Sequence, residues 1–400
     1  MTSLEKRMVI MNGLFNIVFT LYLSFVNVYL YEYTRSFMIM SLFGICRVAV
    51  YPFIFRLANI ISRKMNYASI MGVGIIFIIS AMGFAVTQSE LFIVNSYYTL
   101  IVSFIAGIGF GLYWYASNTS MQVIPTEDSR ANFLTHYYTL NSISTLVAPF
   151  FSDIIISLSP NDLQGYRNIL IFIIFVSVLV LFVASKLNVK PEEKNYSLLK
   201  CLKLDEPIYR NTMLGIFFYS VKDSLTISLT AILVANAAGS GNLYSRLLIV
   251  FSLICIYLSR FLNSLCRKDR INKSLVITSV INILSTMILV IFPNMFGAIF
   301  FGVTNAVVTS LYQGIVNFLI GQSIQRYKDD ISGRVTAKET YTTLGRSVGL
   351  CFVILCYFIL PENIYLIVSC VIISLAPIMV IYHFKNVIKQ LEKEKGDNSF

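Results

Sequence analysis

The chain repeats itself, and the repeat limits what it can fold into. The stretch Arg56-Leu57-Ala58-Asn59-Ile60-Ile61-Ser62-Arg63-Lys64 returns 204 residues later as Arg260-Phe261-Leu262-Asn263-Ser264-Leu265-Cys266-Arg267-Lys268. The same shift pairs Arg130, Tyr137, Thr139, Leu140 and Leu146 with Arg334, Tyr341, Thr343, Leu344 and Leu350. Each copy lies between long apolar runs, so one half is a diverged copy of the other. Two parallel membrane halves facing each other place a solute site at their interface, near the middle of the bilayer.

Apolar residues make up 56% of the chain and charged residues 13%, and the mean hydropathy is +0.74. A soluble domain carries roughly a quarter charged residues. Apolar runs near the length of a membrane-crossing helix fall at 8–31, 36–57, 67–86, 94–118, 133–158, 168–185, 211–236, 245–265, 274–292, 296–320, 338–360 and 363–384. The first follows Lys6 and Arg7 like a signal peptide, but it is too long and leads straight into a second span, so it is expected to be retained. The fold expected is an all-α membrane protein of twelve transmembrane helices in two pseudo-symmetric six-helix bundles. The bundles cover 1–185 and 211–384, with a cytoplasmic linker at 186–210 and a cytoplasmic tail at 385–400. The linker carries Lys186, Lys190, Lys194, Lys200, Lys203, Pro191 and Pro207, and Leu198 to Leu204 reads as a short amphipathic turn on the membrane surface.

Basic residues set the orientation. With both termini in the cytoplasm, the even-numbered connections, the tails and their flanks hold 25 of the 31 Lys and Arg. Arg35, Arg167 and Arg246 fall outside, and Arg47, Lys222 and Arg346 within spans. The net charge of +11 is therefore topogenic charge set against membrane lipid, and a nucleic-acid partner is not expected. The location expected is the cytoplasmic membrane. Seven scattered cysteines form no CxxC pair, the two histidines (His136 and His383) stand apart, and no Gly-rich phosphate loop occurs. No metal and no cofactor is expected.

Polarity is uneven among the spans. The first carries Asn12, Asn16, Thr20 and Asn27 on one stripe, and the seventh Tyr219, Asp223, Thr226 and Thr230 on another. The tenth carries Asn305, Thr309, Gln313 and Asn317, and the fourth ends in Tyr113, Trp114, Tyr115 and Asn118. The third, sixth and twelfth are almost wholly apolar, and the ninth nearly so. Polar groups facing lipid are costly, so spans one, four, seven and ten are expected to line the interior, while three, six, nine and twelve meet lipid. Stripes that merely bond helices together are the plainer reading of any one of them.

Arg47, Asp153, Lys222, Asp223 and Arg346 lie well inside spans. A charge at mid-membrane costs about 2.5–3.5 kcal/mol even on lenient scales, so each needs a partner or water. Asp223 shares the polar stripe and is expected on the cavity, binding a cation, a proton or a positive substrate group, with Lys222 or Arg346 balancing it. Arg47 and Asp153 are expected to form a structural pair between helices. Gly107 and Gly111 are spaced for close helix packing. Tyr113, Trp114 and Tyr115 read more simply as an interfacial belt than as a stacking platform.

At this point the chain resembles the major facilitator superfamily over nearly its whole length. The family's signature between the second and third spans is Gly-x-Leu-Ala-Asp-Arg-x-Gly-Arg-Lys; here Leu57, Ala58, Arg63 and Lys64 match, while Asn59 replaces the acid and Ser62 a glycine. The resemblance implies an inner gate at Asn59, Arg63 and Lys64, echoed at Asn263, Arg267 and Lys268, with the acid's hold on the start of the eleventh span reduced to a neutral hydrogen bond. A second signature, typical of exporting members, is Gly-x-x-x-Gly-Pro-x-x-Gly in the fifth span; here Ser144, Ala148, Pro149 and Ser152 stand in a degenerate form of it. It implies a proline bend and tilts the direction toward export. The family's arginine in the fourth span, associated with proton coupling, is missing.

The function implied is a secondary carrier, acting as a monomer, that moves a small polar or amphipathic solute by alternating access, with a proton or cation as a candidate coupling partner. An intramembrane enzyme is disfavoured because no loop presents a catalytic acid, histidine or carboxylate set. The competing class is a transporter-like sensor or assembly partner that no longer transports.

Overall fold

The computed structural model describes residues 2–124, 130–187, 198–259, 261–266, 270–324, 326, 331–361 and 364–397, and every regular element among them is helical. Among the described residues, twelve helices are long and apolar enough to cross a membrane. They are α1 (Ser3–Thr34), α2 (Phe37–Ser62), α3 (Tyr67–Thr87), α4 (Tyr98–Met121), α5 (Thr139–Ser157) and α6 (Asp162–Ala184), then α7 (Pro207–Ala238), α8 (Gly241–Leu258), α9 (Ile271–Ile291), α10 (Met295–Ile324), α11 (Gly333–Ile359) and α12 (Tyr365–Lys393). The expected all-α membrane architecture is thus present.

The repeat reaches down to the ends of the helices. Ser3–Thr34 and Pro207–Ala238 are both 32 residues long, Tyr67–Thr87 and Ile271–Ile291 both 21, and each pair is offset by the shift read from the sequence. Even the stop signals correspond. α1 ends on Arg35 and α7 on Gly239, both in the left-handed region (φ 48° and 73°). Glycine adopts that conformation without strain; Arg35 is an exposed residue paired with Glu32, one turn back.

Caps fix where the spans begin, because the first helical N–H groups need an oxygen. Thr2 and Glu5 form a reciprocal capping box at α1, and Ser36, Asn66, Asn161 and Asn294 accept from backbone N–H groups at the starts of α2, α3, α6 and α10. Proline marks the interruptions: α2 is broken at Val50 ahead of Pro52, Pro149 lies inside α5, and α12 is interrupted just before Pro377. Three of the four polar helices are also irregular. α1 has a π segment at Tyr22–Val26, α10 another at Val308–Tyr312, and α7 is interrupted at Leu229. Proline-free irregularities of this kind gather at functional sites.

The chain forms two compact units, Met1–Glu193 with Ile227–Ser252, and Lys194–Thr226 with Leu253–Phe400. In the first, α1 packs on α5 and α6, and α3 on α4 and α6. Glycines let these backbones touch: a Cβ on Gly74 would sit 2.7 Å from the Gly109 carbonyl oxygen, and one on Gly107 2.5 Å from that of Arg47 in α2. Close packing at Gly107 and Gly111 is therefore what the spacing encodes. The end of α7 and the start of α8 belong to this unit through a polar seam. Asp162 accepts from the Gly241 N–H at 2.5 Å, Tyr244 donates to the Ser24 carbonyl at 3.0 Å, and Ser252 donates to the Thr145 carbonyl at 2.8 Å.

In the second unit α9 packs on α10 and α12 around Met213, Ile216, Leu275, Tyr312, Val316 and Phe384. The linker contributes a short helix, Leu198–Leu202, where the sequence suggested an amphipathic turn. Tyr209 and Tyr341 bond its carbonyls at Cys201 and Leu202.

Large apolar residues stand exposed along α3, α6, α9 and α12, among them Ile76, Phe182, Val280 and Tyr382. Exposed apolar residues also occur on the other spans, such as Phe53 of α2, Phe104 of α4 and Phe296 of α10, so apolar exposure is not confined to those four. The ninth helix departs from the expectation on its other side, where Ser274, Thr278, Ser279, Asn282, Ser285 and Thr286 are all buried. It is a two-faced helix with a polar interior.

Candidate functional site

In the first unit, polar and aromatic side chains gather where α1 meets α4. Asn12 is buried and bonded at both ends of its amide: the nitrogen donates to the Met8 carbonyl at 2.9 Å, and its oxygen accepts from Tyr113 at 3.0 Å and Ser117 at 2.7 Å. Phe15 stacks on Tyr113 with ring centroids 3.4 Å apart. Those contacts join the two helices through side chains, so Asn12 bonds helices together and does not line an open path. Asn27 is likewise fully buried, donating to the Leu23 carbonyl across the π segment. Asn16, Thr20, Trp114 and Asn118 keep part of their surface open. The amide of Asn16 donates to the Asn141 carbonyl at 3.0 Å. Tyr113 and Tyr115 are completely buried and therefore are no interfacial belt; only Trp114 between them is open.

In the second unit the chemistry is ionic. Arg346 of α11 directs Nε and Nη2 to the same carboxylate oxygen of Asp223 in α7, at 2.9 and 2.8 Å. The approach depends on small residues either side of Arg346. A Cβ on Gly345 would strike the Phe217 carbonyl oxygen of α7, and one on Gly349 the hydroxyl of Ser224. Glycine at both places brings α11 close enough to α7 for the guanidinium to reach. Both side chains of the pair retain about a fifth of their surface (21% each), so the pair is neither sealed nor freely solvated. Lys222, one residue earlier, points elsewhere. It is buried, and its ammonium donates to Thr286 of α9 at 2.5 Å. The balancing cation for Asp223 is thus Arg346.

Tyr219 lies one turn before Asp223, with its ring 5.8 Å from Tyr312 in the π segment of α10. Thr226, one turn beyond, is half-buried. On α10, Asn305 is half-buried while Thr309, Gln313 and Asn317 are exposed at four-residue spacing, forming one open polar stripe. A membrane-embedded helix presents such a stripe to lipid only at a cost.

The remaining expected residues sort as follows. Asp153 pairs with Arg246 of α8 at 3.3 Å, which corrects the expected Arg47–Asp153 pair. Arg47 is buried, its guanidinium 5.2 Å from the centre of the Tyr22 ring in the α1 π segment. Asn59 donates to the Tyr115 hydroxyl of α4 at 2.9 Å, and Ser62 is hydrogen-bonded to the same oxygen at 3.3 Å. Arg63 and Lys64 are exposed. Asn263 falls in the short helix Leu262–Leu265; its side chain, Arg267 and Lys268 lie outside the described residues. Sequence reasoning missed the roles of Thr286, Phe15 and Phe19. The run of Ser, Thr and Asn through α9 carried the signal for the first. Among the described residues, no group of His, Cys, Asp or Glu has the arrangement to hold a metal ion.

Comparison with known proteins places this geometry in a family. The uncharacterized protein YqgE of Bacillus subtilis (strain 168) is 22% identical over 395 residues, covering 96% of this chain and 90% of that protein. Among solved structures, one of the nucleoside transporter NupG superposes with a TM-score of 0.72 at 11% identity, covering 96% of this chain and all of that one. The E. coli fucose:proton symporter FucP aligns at 0.63 with 15% identity, covering 95% and 98%. A bacterial homolog of the human lysosomal transporter Spinster aligns at 0.67 with 12% identity, covering 96% and 97%. At such identities these likenesses establish the fold. The model of the Major Facilitator Superfamily matches residues 8–337, and the chain belongs to that family of multi-pass membrane transport proteins.

Proposed function

We propose that the protein is a secondary carrier that moves a small polar or amphipathic solute across the cytoplasmic membrane by alternating access. The observation that carries this reading is the open polar surface on otherwise apolar spans: Asn16, Thr20, Trp114 and Asn118 in one unit, and Asp223, Arg346, Thr309, Gln313 and Asn317 in the other. Such surfaces have a physical reason to exist within a membrane only where water or a solute meets them. Export is the favoured direction, on the strength of Pro149 with Ser144, Ala148 and Ser152 in α5. Both termini are placed in the cytoplasm by the distribution of Lys and Arg, and the carrier works as a monomer without a cofactor or a catalytic step.

Asp223 is the coupling residue in this reading. Its carboxylate alternates between Arg346 and a proton, a cation or a positive substrate group, and each exchange changes what holds α7 to α11. The test is exchange of labelled candidate solutes in proteoliposomes, with and without an imposed pH gradient, for the natural protein and for Asp223→Asn. Loss of gradient-driven accumulation with exchange retained is the expected result. Full gradient-driven transport in Asp223→Asn would remove the carboxylate from coupling, and solute-independent vesicles across a broad panel would favour a non-transporting sensor.

A further inference from the structure

We propose that the partly open side chains of Asn16 and Thr20 on α1 and of Trp114 and Asn118 on α4 form a binding subsite for a neutral, flat heteroaromatic ring whose edge carries amide-like donors and acceptors. The proposal rests on the carrier reading above and gives it a substrate class.

Rigidity is the first reason. Trp114 is the only tryptophan in the chain. Its neighbours Tyr113 and Tyr115 are buried and tied to Asn12 and Asn59, so the backbone on either side is anchored. The indole stands nearly perpendicular to Phe15 and Phe19, at 87° and 84°, each with centroids 5.4 Å away. A large ring held in one plane, with part of its surface open, loses little conformational entropy when a second ring packs on it.

Unspent hydrogen-bonding capacity is the second. Among the described residues, the indole N–H of Trp114, the carboxamide of Asn118 and the hydroxyl of Thr20 have no hydrogen-bond partner, and none of these atoms is sealed from solvent. Asn16 has donated one N–H to the Asn141 carbonyl and keeps its side-chain oxygen. Phe15 and Phe19 bring α1 to Trp114, and Asn16 and Thr20 follow each of them by one residue, so they occupy the adjoining sector of the helix. Two carboxamides, an indole donor and a hydroxyl match the alternating donor and acceptor edge of a pyrimidine, a purine or a pyridine carboxamide.

Charge is the third. α4 contains no Asp, Glu, Lys or Arg, and α1 none between Arg7 and Glu32. This face cannot neutralise a charged group, so the part of the substrate it takes is neutral. Vicinal sugar hydroxyls, which carboxylates grip well, have no such acceptor here.

Trp114 is also its own probe. In the purified full-length protein its emission is titrated with uracil, adenine and nicotinamide, and with glucose and lactate as ringless controls. Saturable quenching by at least one heterocycle and by neither control is expected. Asn118→Ala should weaken that quenching roughly tenfold, the loss of about one hydrogen bond. Thermal stabilisation by the heterocycle gives a second readout; it should persist in Trp114→Phe and vanish in Trp114→Ala. Saturable quenching by glucose alone, no saturable heterocycle among the three, or stabilisation that survives Trp114→Ala would each overturn the subsite. Exchange of ringless solutes in vesicles with no heterocycle response sinks the subsite and leaves the carrier standing. Heterocycle binding without exchange of any heterocycle across the vesicle membrane supports the subsite and sinks the carrier.

Discussion

Asp223 and Arg346 are bonded through one carboxylate oxygen within apolar spans, and removing either breaks that ion pair. A fully buried pair broken on one side costs about 3–5 kcal/mol. Because both side chains keep a fifth of their surface, solvent screens part of that, and Asp223→Ala or Arg346→Met should cost about 2–3 kcal/mol. The double variant should recover at least half of the combined loss, as read by unfolding of the purified protein in a double-mutant cycle. Additive losses would mean the pair contributes nothing as a pair. Asn12 offers the contrasting case. Asn12→Leu strands the hydroxyls of Tyr113 and Ser117 and should cost about 1–3 kcal/mol, while Tyr113→Phe alone costs about 1 kcal/mol; neither should alter solute selectivity. Spacing placed Asn12, Asn16, Thr20 and Asn27 on one stripe, which is correct as helical geometry. It could not separate the sealed members from the open ones, because that depends on which neighbour each meets. Asp153 shows the same limit: its charge announces the need for a partner, and only the packing of α8 supplies Arg246.

Helices were far more legible than contacts, and the reason is physical. Membrane spans must be apolar over a fixed length and must satisfy their own backbone, so α1 to α12 follow from hydropathy and the capping residues. The π segments in α1 and α10 left no such mark, since Tyr22–Val26 and Val308–Tyr312 contain neither proline nor glycine. The buried polar face of α9 left a weaker mark, a run of Ser, Thr and Asn diluted by isoleucine and leucine around the helix. Glycines fall between, because their spacing suggests packing but not the partner. Gly345→Ala should cost about 2 kcal/mol, because the obstruction is the Phe217 carbonyl, a backbone atom that cannot step aside. It should also weaken the Asp223–Arg346 pair next door. Gly83→Ala in α3 meets nothing within 4 Å and should be neutral or stabilising by up to about 1 kcal/mol. Thermal unfolding of the two variants side by side tests the distinction; equal losses would mean that helix approach does not set the glycine requirement.

Alternating access requires that contacts between the two sequence halves form on one side and break on the other. The polar seam joining the end of α7 and the start of α8 to α1, α5 and α6 has the character of such a breakable contact. Its polar part is built from single hydrogen bonds and one half-exposed ion pair, Asp153–Arg246, beside the Phe25–Tyr244 ring contact and the close approach of Gly241 to Asp162 and Tyr166. Each bond is worth about 1 kcal/mol or less net, so under the proposed alternating access the seam would open at a cost that solute binding can offset. Ser152 of α5 and Ser245 of α8 meet across it with their hydroxyl oxygens 3.3 Å apart. The protein's own seven cysteines include only one that is exposed, Cys351, so an added pair reports cleanly against a Cys351→Ser background. Ser152→Cys combined with Ser245→Cys, both buried, should oxidise once the seam admits a small oxidant such as copper-phenanthroline, and then hold the seam shut. Exchange in proteoliposomes should then fall by at least tenfold and return on reduction, while each single variant stays near full activity. If the cross-linked protein exchanges solute at the uncross-linked rate, the α7–α8 hairpin does not part from α5 during the cycle, and the halves must move about some other line of contact.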